Sequence, residues 1–242
     1  MASVGDAEGY TQGLLRSGRR IRDMSVSGTR TKRPDVVKRS RGRPARSALV
    51  GFDALLRSAR KVFAKQGYEA TSVREIARLA GVDPALMAHH FGSKEGLWIA
   101  VVDQLAEQAA AVIEATKQLR VARLTARARI KQALILLIDA LFEDQDIGMF
   151  LSTATTEQGD RLNILIERLY RPYQEVFVSL LVDAMEAGKL KARDPALLYA
   201  MMLSAISNTI SYSHVLAKFS PITGHAEEFK QAVLDVALDM FR

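Results

Sequence analysis

The sequence predicts an all-α chain in which an N-terminal three-helix bundle with a helix-turn-helix precedes a larger helical domain. Three observations predict it. Apolar residues recur at helical spacing from Phe52 onward. Helix-starting and helix-stopping residues follow one another at short intervals between Gly67 and Glu95. No convincing strand pattern interrupts them. The composition, 48% hydrophobic and 25% charged, is that of an ordinary globular protein. Cysteine is absent, which excludes a disulfide framework, a thiolate zinc site and a cysteine nucleophile, and makes a reducing cytoplasm the expected setting.

Three segments are expected: a disordered basic arm over 1–47, a helix-turn-helix domain over 48–96 and a helical domain over 97–242. The arm holds 12 Lys/Arg against 4 Asp/Glu, and the remainder 22 against 23, so the excess positive charge lies at the N-terminus. A solvated tail and an arm that neutralises phosphate both fit such a block. Arg19-Arg20 is followed by Ile21-Arg22-Asp23 instead of a hydrophobic run, so no secretory signal is expected, while an organellar transit peptide stays open at this point. Residues 195–217 carry no formal charge, but Ser204, Ser207, Asn208 and His214 interrupt them, which favours a buried helix over a membrane span.

In the first helix Phe52, Leu55, Leu56, Ala59, Val62 and Phe63 share a face, and Gly67 stops the run. Ser72-Val-Arg-Glu75 has the form of a capping box and opens a very short second helix, with Val73, Ile76, Ala77 and Ala80 apolar and Gly81 at its turn. Asp83 then offers an N-cap oxygen and Pro84 a first-turn proline; Leu86, Met87, His90 and Phe91 continue the third helix, with His90 and Phe91 expected to pack inward. Ser93-Lys94-Glu95 leads into a long linking helix from Gly96 to about Arg120. Further helices are predicted over 126–143, 147–155, 160–187, 195–217 and 225–241.

Two short helices joined through Gly81 suit a helix-turn-helix whose second helix enters the major groove; an ordinary αα-corner has the same spacing. The residues Phe63-Ala-Lys-Gln-Gly-Tyr68-Glu-Ala-Thr71-Ser-Val-Arg-Glu-Ile-Ala77, Ala80-Gly-Val82 and His90-Phe-Gly-Ser-Lys-Glu95 go further. They resemble the TetR family of bacterial regulators over roughly residues 52 to 98. The C-terminal part is similar to that family only in length and helical pattern.

The resemblance implies that Asp83 to Phe91 form the recognition helix, with base or groove contacts from Pro84, Ala85, Leu86, Ala88 and His89. It likewise implies a base contact from Arg74 and a phosphate contact from Lys94, with Thr71 and Ser72 adding phosphate hydrogen bonds. The chain departs from the family's common Thr-Leu-Tyr, having Leu86-Met87-Ala88 instead, so apolar contact with thymine methyl groups is expected there. In the arm, Arg41-Gly-Arg-Pro44 resembles an AT-hook core, with Arg41 and Arg43 expected in a narrow minor groove. A flexible tail remains the alternative.

The C-terminal helices carry more apolar and aromatic residues than a dimer strut needs. Phe142, Met149, Phe150, Tyr173, Phe177, Met201, Asn208 and Tyr212 are the candidate ligand-binding residues, several of which serve equally well as core. The last two helices are similar in order and length to those that form a four-helix dimer interface in the family. The resemblance therefore implies a homodimer on a palindromic double-stranded DNA operator, with a small apolar or amphipathic molecule releasing a repressor. The competing reading is an architectural A·T-rich DNA-binding protein without ligand sensing. No membrane partner, cofactor, metal or catalytic residue is expected. Adjacent His89 and His90 point about 100° apart on a helix and cannot chelate one ion. Ser58-Ala-Arg-Lys61 lacks the companion motifs of a serine hydrolase.

Overall fold

A computed structural model describes residues 46–154 and 156–241, so Arg41 and Arg43, and the expected disorder of the arm, lie outside the described residues. Helices make up the described elements, and no strand occurs among them. The all-α expectation is met.

Helix α1 (Arg46–Ala70) buries Leu55, Leu56, Ala59, Val62 and Phe63. Gly67, at φ +74°, takes the chain out of helical geometry, and the Thr71 hydroxyl donates to the Gly67 carbonyl at 2.6 Å. Helix α2 (Val73–Ala80) turns inward with Ile76 and Ala77, and Gly81 ends it in the left-handed conformation (φ +68°, ψ +30°) that a side chain would strain. The capping box is not formed. Ser72 occupies the N-cap position but its side chain makes no capping bond, and the Glu75 carboxylate accepts from Gln66 Nε2 of α1 at 3.3 Å.

Helix α3 (Pro84–Phe91) starts as the sequence dictates: Asp83 Oδ1 accepts from the Ala85 amide at 2.7 Å, and Pro84 needs no partner for its nitrogen. In so short a helix Met87 and Phe91, four residues apart, take the inward face. The expectation that His90 packs inward is therefore corrected. It is exposed, edge-on to Phe52 at 5.6 Å, while Phe91 stacks on the same ring at 5.0 Å.

Helix α4 (Lys94–Leu119) is capped by Ser93, whose Oγ accepts from the Gly96 amide at 2.9 Å. It is long and apolar enough to cross a membrane by length and composition, but its Leu97, Trp98, Val101, Val102 and Leu105 are sealed in the protein's own core. The chain continues through α5 (Ala126–Glu143), α6 (Gln145–Ala154) and α7 (Gly159–Leu165) to a π-helical turn (Ile166–Tyr170). Next come α8 (Arg171–Glu186), α9 (Pro195–Ser211), α10 (Ser213–Leu216) and α11 (Ala226–Asp239).

Two expected helices are thus interrupted. Pro172 has no amide hydrogen and its ring crowds the carbonyl four residues back, at Arg168. The preceding turn widens, with the Arg171 amide reaching Ile166 five residues back. The helix expected over 195–217 stops at Ser211, where Tyr212 leaves helical geometry (φ −104°, ψ +25°) before α10 begins.

Packing divides the molecule into two cores. One gathers α5, α8, α9 and α11 around Leu134, Ile138, Phe177, Leu180 and Met202. The other holds the side chains of α1–α4 together with Phe150, Ala154, Leu165 and Leu169 from α6, α7 and the π turn. Residues well beyond position 97 therefore complete the core of the N-terminal bundle. Where α6 crosses α9, a Cβ on Gly148 would collide with Ser211 Oγ, so glycine sets the closeness of that crossing.

Candidate nucleic-acid interface and ligand cavity

The helix-turn-helix leaves one side of α3 open. Pro84, Ala85, Ala88 and His89 are exposed and Leu86 is half-buried, while Met87 anchors the helix from behind. Small Ala85 and Ala88 let a helix approach a groove closely, and Leu86 offers the apolar contact in place of a hydroxyl. Ser72 and Arg74 are exposed at the start of α2. Thr71 is buried, and its hydroxyl is committed to the Gly67 carbonyl. Lys94 donates to the Glu69 carbonyl at 3.2 Å and lies 4.4 Å from the centre of the Tyr68 ring, so its ammonium is held at the α1 end of the bundle.

The same corner is gripped from the C-terminal region. Arg161 of α7 lies 3.9 Å over Tyr68, donates to Glu157 at 2.7 Å and reaches Glu69 at 2.8 Å. The hydrogen bond to Glu157 raises its pKa further above the ordinary arginine range. Thr153 of α6 donates to the Ala64 carbonyl of α1 at 2.7 Å. A third contact is ionic: Arg60 of α1, only 9% exposed, pairs with Asp144 at 2.6 Å and donates to Gln108 Oε1 of α4 at 3.2 Å.

Gln108 also forms the wall of a cavity. A cavity of about 90 Å³ lies between α4, α5, α6, the π turn, α8 and α9. Leu105, Ala109 and Val112 line it from α4, Leu137, Ala140 and Leu141 from α5, Ile147 and Leu151 from α6, and Leu169 and Tyr170 from the π turn. Tyr173, Tyr199 and Leu203 complete it from α8 and α9. Burial pushes the hydroxyls of Tyr170, Tyr173 and Tyr199 well above the usual phenol range, so all three are neutral hydrogen-bonding groups. Tyr170 donates to the Leu151 carbonyl at 3.0 Å, whereas the buried Tyr199 hydroxyl has no hydrogen-bond partner.

Of the eight residues the sequence nominates for the ligand, Tyr173 lines this cavity and Asn208 a pocket beside it. The others are placed elsewhere. Phe150 and Met149 belong to the N-terminal core, with Phe150 centred 6.3 Å from Trp98. Phe177 fills the C-terminal core and Phe142 packs edge-on against Phe229 at 5.4 Å. Met201 and Tyr212 face outward, 57% and 36% exposed. Sequence reasoning missed Gln108, Tyr199 and Arg60. Arg60 did carry a signal, a lone charge beside Ala59 and between Leu56 and Phe63 on the apolar face of α1.

Residues 55–101, which span this helix-turn-helix, match the family model for bacterial regulatory proteins of the tetR family. Over these residues the chain carries the helix-turn-helix of that family. It is 39% identical over 85 residues to the transcriptional repressor ComR of Escherichia coli, covering 35% of this chain and 39% of ComR. It is 26% identical over 172 residues to the repressor NicS of Pseudomonas putida, covering 69% and 79%. The matches to ComR and to BetI of Rhizobium meliloti thus span well under half of those proteins, 39% and 26% of their lengths. Among solved TetR-type structures, PfmR of Thermus thermophilus shares the fold at TM-score 0.59 and 24% identity, over 77% of this chain and 95% of PfmR. FadR of Bacillus subtilis, solved with stearoyl-CoA, does so at TM-score 0.58 and 18% identity, over 79% and 100%. Residues 55–101 thus match a TetR-type helix-turn-helix, and the fold around them is shared with solved regulators of that type. Among the described residues no three His, Asp or Glu are grouped to hold a metal ion.

Proposed function

We propose that this chain is a homodimeric repressor of the TetR family that leaves a palindromic operator when a small apolar or amphipathic molecule fills the cavity. The observation that carries this reading is the position of Gln108. It forms part of the cavity wall and at the same time accepts a hydrogen bond from Arg60 of the DNA-binding bundle. A ligand that shifts α4 or engages the Gln108 amide also acts on Arg60 and Asp144, and through them on α1. The coupling is reciprocal, so DNA weakens ligand binding as much as ligand weakens DNA binding. The predominantly apolar wall suits a ligand with a long hydrocarbon portion.

In this reading Pro84, Ala85, Leu86, Ala88 and His89 face the major groove, Arg74 reads a base from α2, and Ser72 and Lys94 hold phosphates. Arg41 and Arg43 enter the adjacent minor groove. Thr71 contributes through its backbone, since its hydroxyl is used within the bundle. Support for the dimer comes from large apolar side chains left open at the C-terminal end: Leu197, Met201, Val215, Phe219 and Val236 are 49–84% exposed. A two-fold dimer sets two recognition helices one helical turn of DNA apart, about 34–36 Å, or a multiple of it.

The test is sequencing of genomic fragments retained by the purified protein at near-physiological salt. A recurrent palindrome is the expected result; recovery of A·T-rich fragments with no two-fold motif would replace this reading with the architectural one. Removing residues 1–46 is expected to weaken binding and flatten its salt dependence, and an unchanged slope would remove the arm from the interface.

A further inference from the structure

Beside the apolar cavity lies a second pocket, and the two share the side chains of Leu151, Tyr170, Tyr199 and Leu203. The second is chemically different: Ser152, Ser204, Ser207 and Asn208 supply its remaining polar wall. No charged residue lines either compartment. Tyr199 faces both and is 5% exposed, yet its hydroxyl finds no partner within the protein. Buried hydroxyls are ordinarily satisfied, and one left over in a cavity wall is a group waiting for a ligand or water.

Resting on the reading that this cavity is the effector site, we propose that its ligand is a neutral amphipathic molecule. The hydrocarbon body occupies the apolar cavity, and an uncharged alcohol or amide head sits in the hydroxyl-lined pocket. Complementarity of donors and acceptors supports it. The Ser207 hydroxyl already donates to the Leu203 carbonyl at 2.7 Å and Tyr170 to Leu151, so both are left as acceptors. The Tyr199 hydroxyl can donate, and the Asn208 amide can do both. A head that donates and accepts satisfies this set. A carboxylate, phosphate or ammonium entering it loses part of its hydration without gaining an opposite charge, which costs more than seating an alcohol there. The site therefore discriminates against charged amphiphiles of equal chain length, including the class to which stearoyl-CoA belongs.

The experiment is calorimetric titration of the full-length protein at pH 7.5 with four ten-carbon probes: 1-decanol, decanamide, decanoate and decylammonium. The alcohol and amide are expected to bind at least about tenfold more tightly than either ion. Ser204 and Asn208 are exposed, so substitutions there leave the fold intact. Asn208→Leu is expected to weaken the amide selectively, and Ser204→Lys to swing the preference toward decanoate. Tighter binding of decanoate to the unaltered protein overturns the proposal, as does failure of all four to bind. A preference that Ser204→Lys leaves unmoved overturns the placement of the head. Operator release is read separately with the same probes: selective neutral binding that leaves operator retention unchanged would sink ligand-driven release and leave this assignment standing.

Discussion

In the DNA-reading bundle, the residues that shape the chain are neighbours in sequence: Gly81 turns it, Asp83 caps the next helix and Pro84 starts it. In the C-terminal half, the corresponding work is done at long range. The cavity takes its walls from α4 at one end, with Leu105, to α9 at the other, with Leu203. Between the halves, Phe150 and Leu165 cross over and complete the core of the bundle. The two halves therefore differ in how they are specified, yet they share interior surface. A helix-turn-helix sealed by side chains from the C-terminal half is expected to unfold and tilt together with it.

The largest expected effect tests that sharing. Phe150→Ala removes a side chain only 1% exposed from a core it enters from the sensor side, and should cost about 3–5 kcal/mol of stability. Urea unfolding is the measurement. It is followed by fluorescence of Trp98, the single tryptophan and a residue of the N-terminal core, and by the helical circular dichroism of the whole chain. Both signals should shift together. A shift in only one would mean that the halves unfold separately and that the shared core carries little coupling.

Next comes the buried ionic seam. Arg60→Leu leaves Asp144 and Gln108 without their partner, and since Asp144 is 27% exposed the loss should be about 2 kcal/mol, below that of a fully buried pair. Adding Asp144→Leu should recover much of it, because two apolar side chains have no charge to desolvate. Both variants should bind operator with a weakened response to ligand, measured as the shift in operator affinity at saturating ligand. An undiminished response would move the coupling path to the Arg161 and Tyr68 contact instead.

Of the residues behind these two predictions, the sequence assigned Phe150 to the ligand and did not single out Arg60, and the reason is physical. Periodicity reports which face of a helix is inward, not what the inward face meets. Phe150, Phe177 and Phe142 read equally well as core or as ligand wall, and only the packing of α6, α8 and α5 against their neighbours decides between them. The helical fold and the turn at Gly81 were legible because single residues dictate them. The π turn was legible in principle, since Pro172 stands inside an otherwise helical run. The unpartnered Tyr199 hydroxyl was not, because its isolation depends on what the neighbouring helices fail to offer it.

Within the bundle the effects become smaller and more local. Asp83→Ala deletes the oxygen that accepts from Ala85 and should cost about 1 kcal/mol, seen as a lower urea midpoint with an unchanged slope. A neutral outcome would mean that Pro84 alone suffices to start α3.

The smallest expected change in stability is the most discriminating about Ser72. A sequence pattern of serine followed three residues later by glutamate suggests the same cost for Ser72→Ala as for Asp83→Ala. The structure suggests otherwise, since the Ser72 side chain makes no capping bond and Glu75 is held by Gln66. Stability should therefore change by less than about 0.5 kcal/mol. Operator affinity should nonetheless fall, by about tenfold if the exposed hydroxyl donates to a phosphate. The two readouts separate two jobs that one serine can do at a helix start: bonding its own amides, or bonding the anion placed before them. A loss of about 1 kcal/mol with operator affinity intact would restore the capping box and leave the phosphate to Lys94.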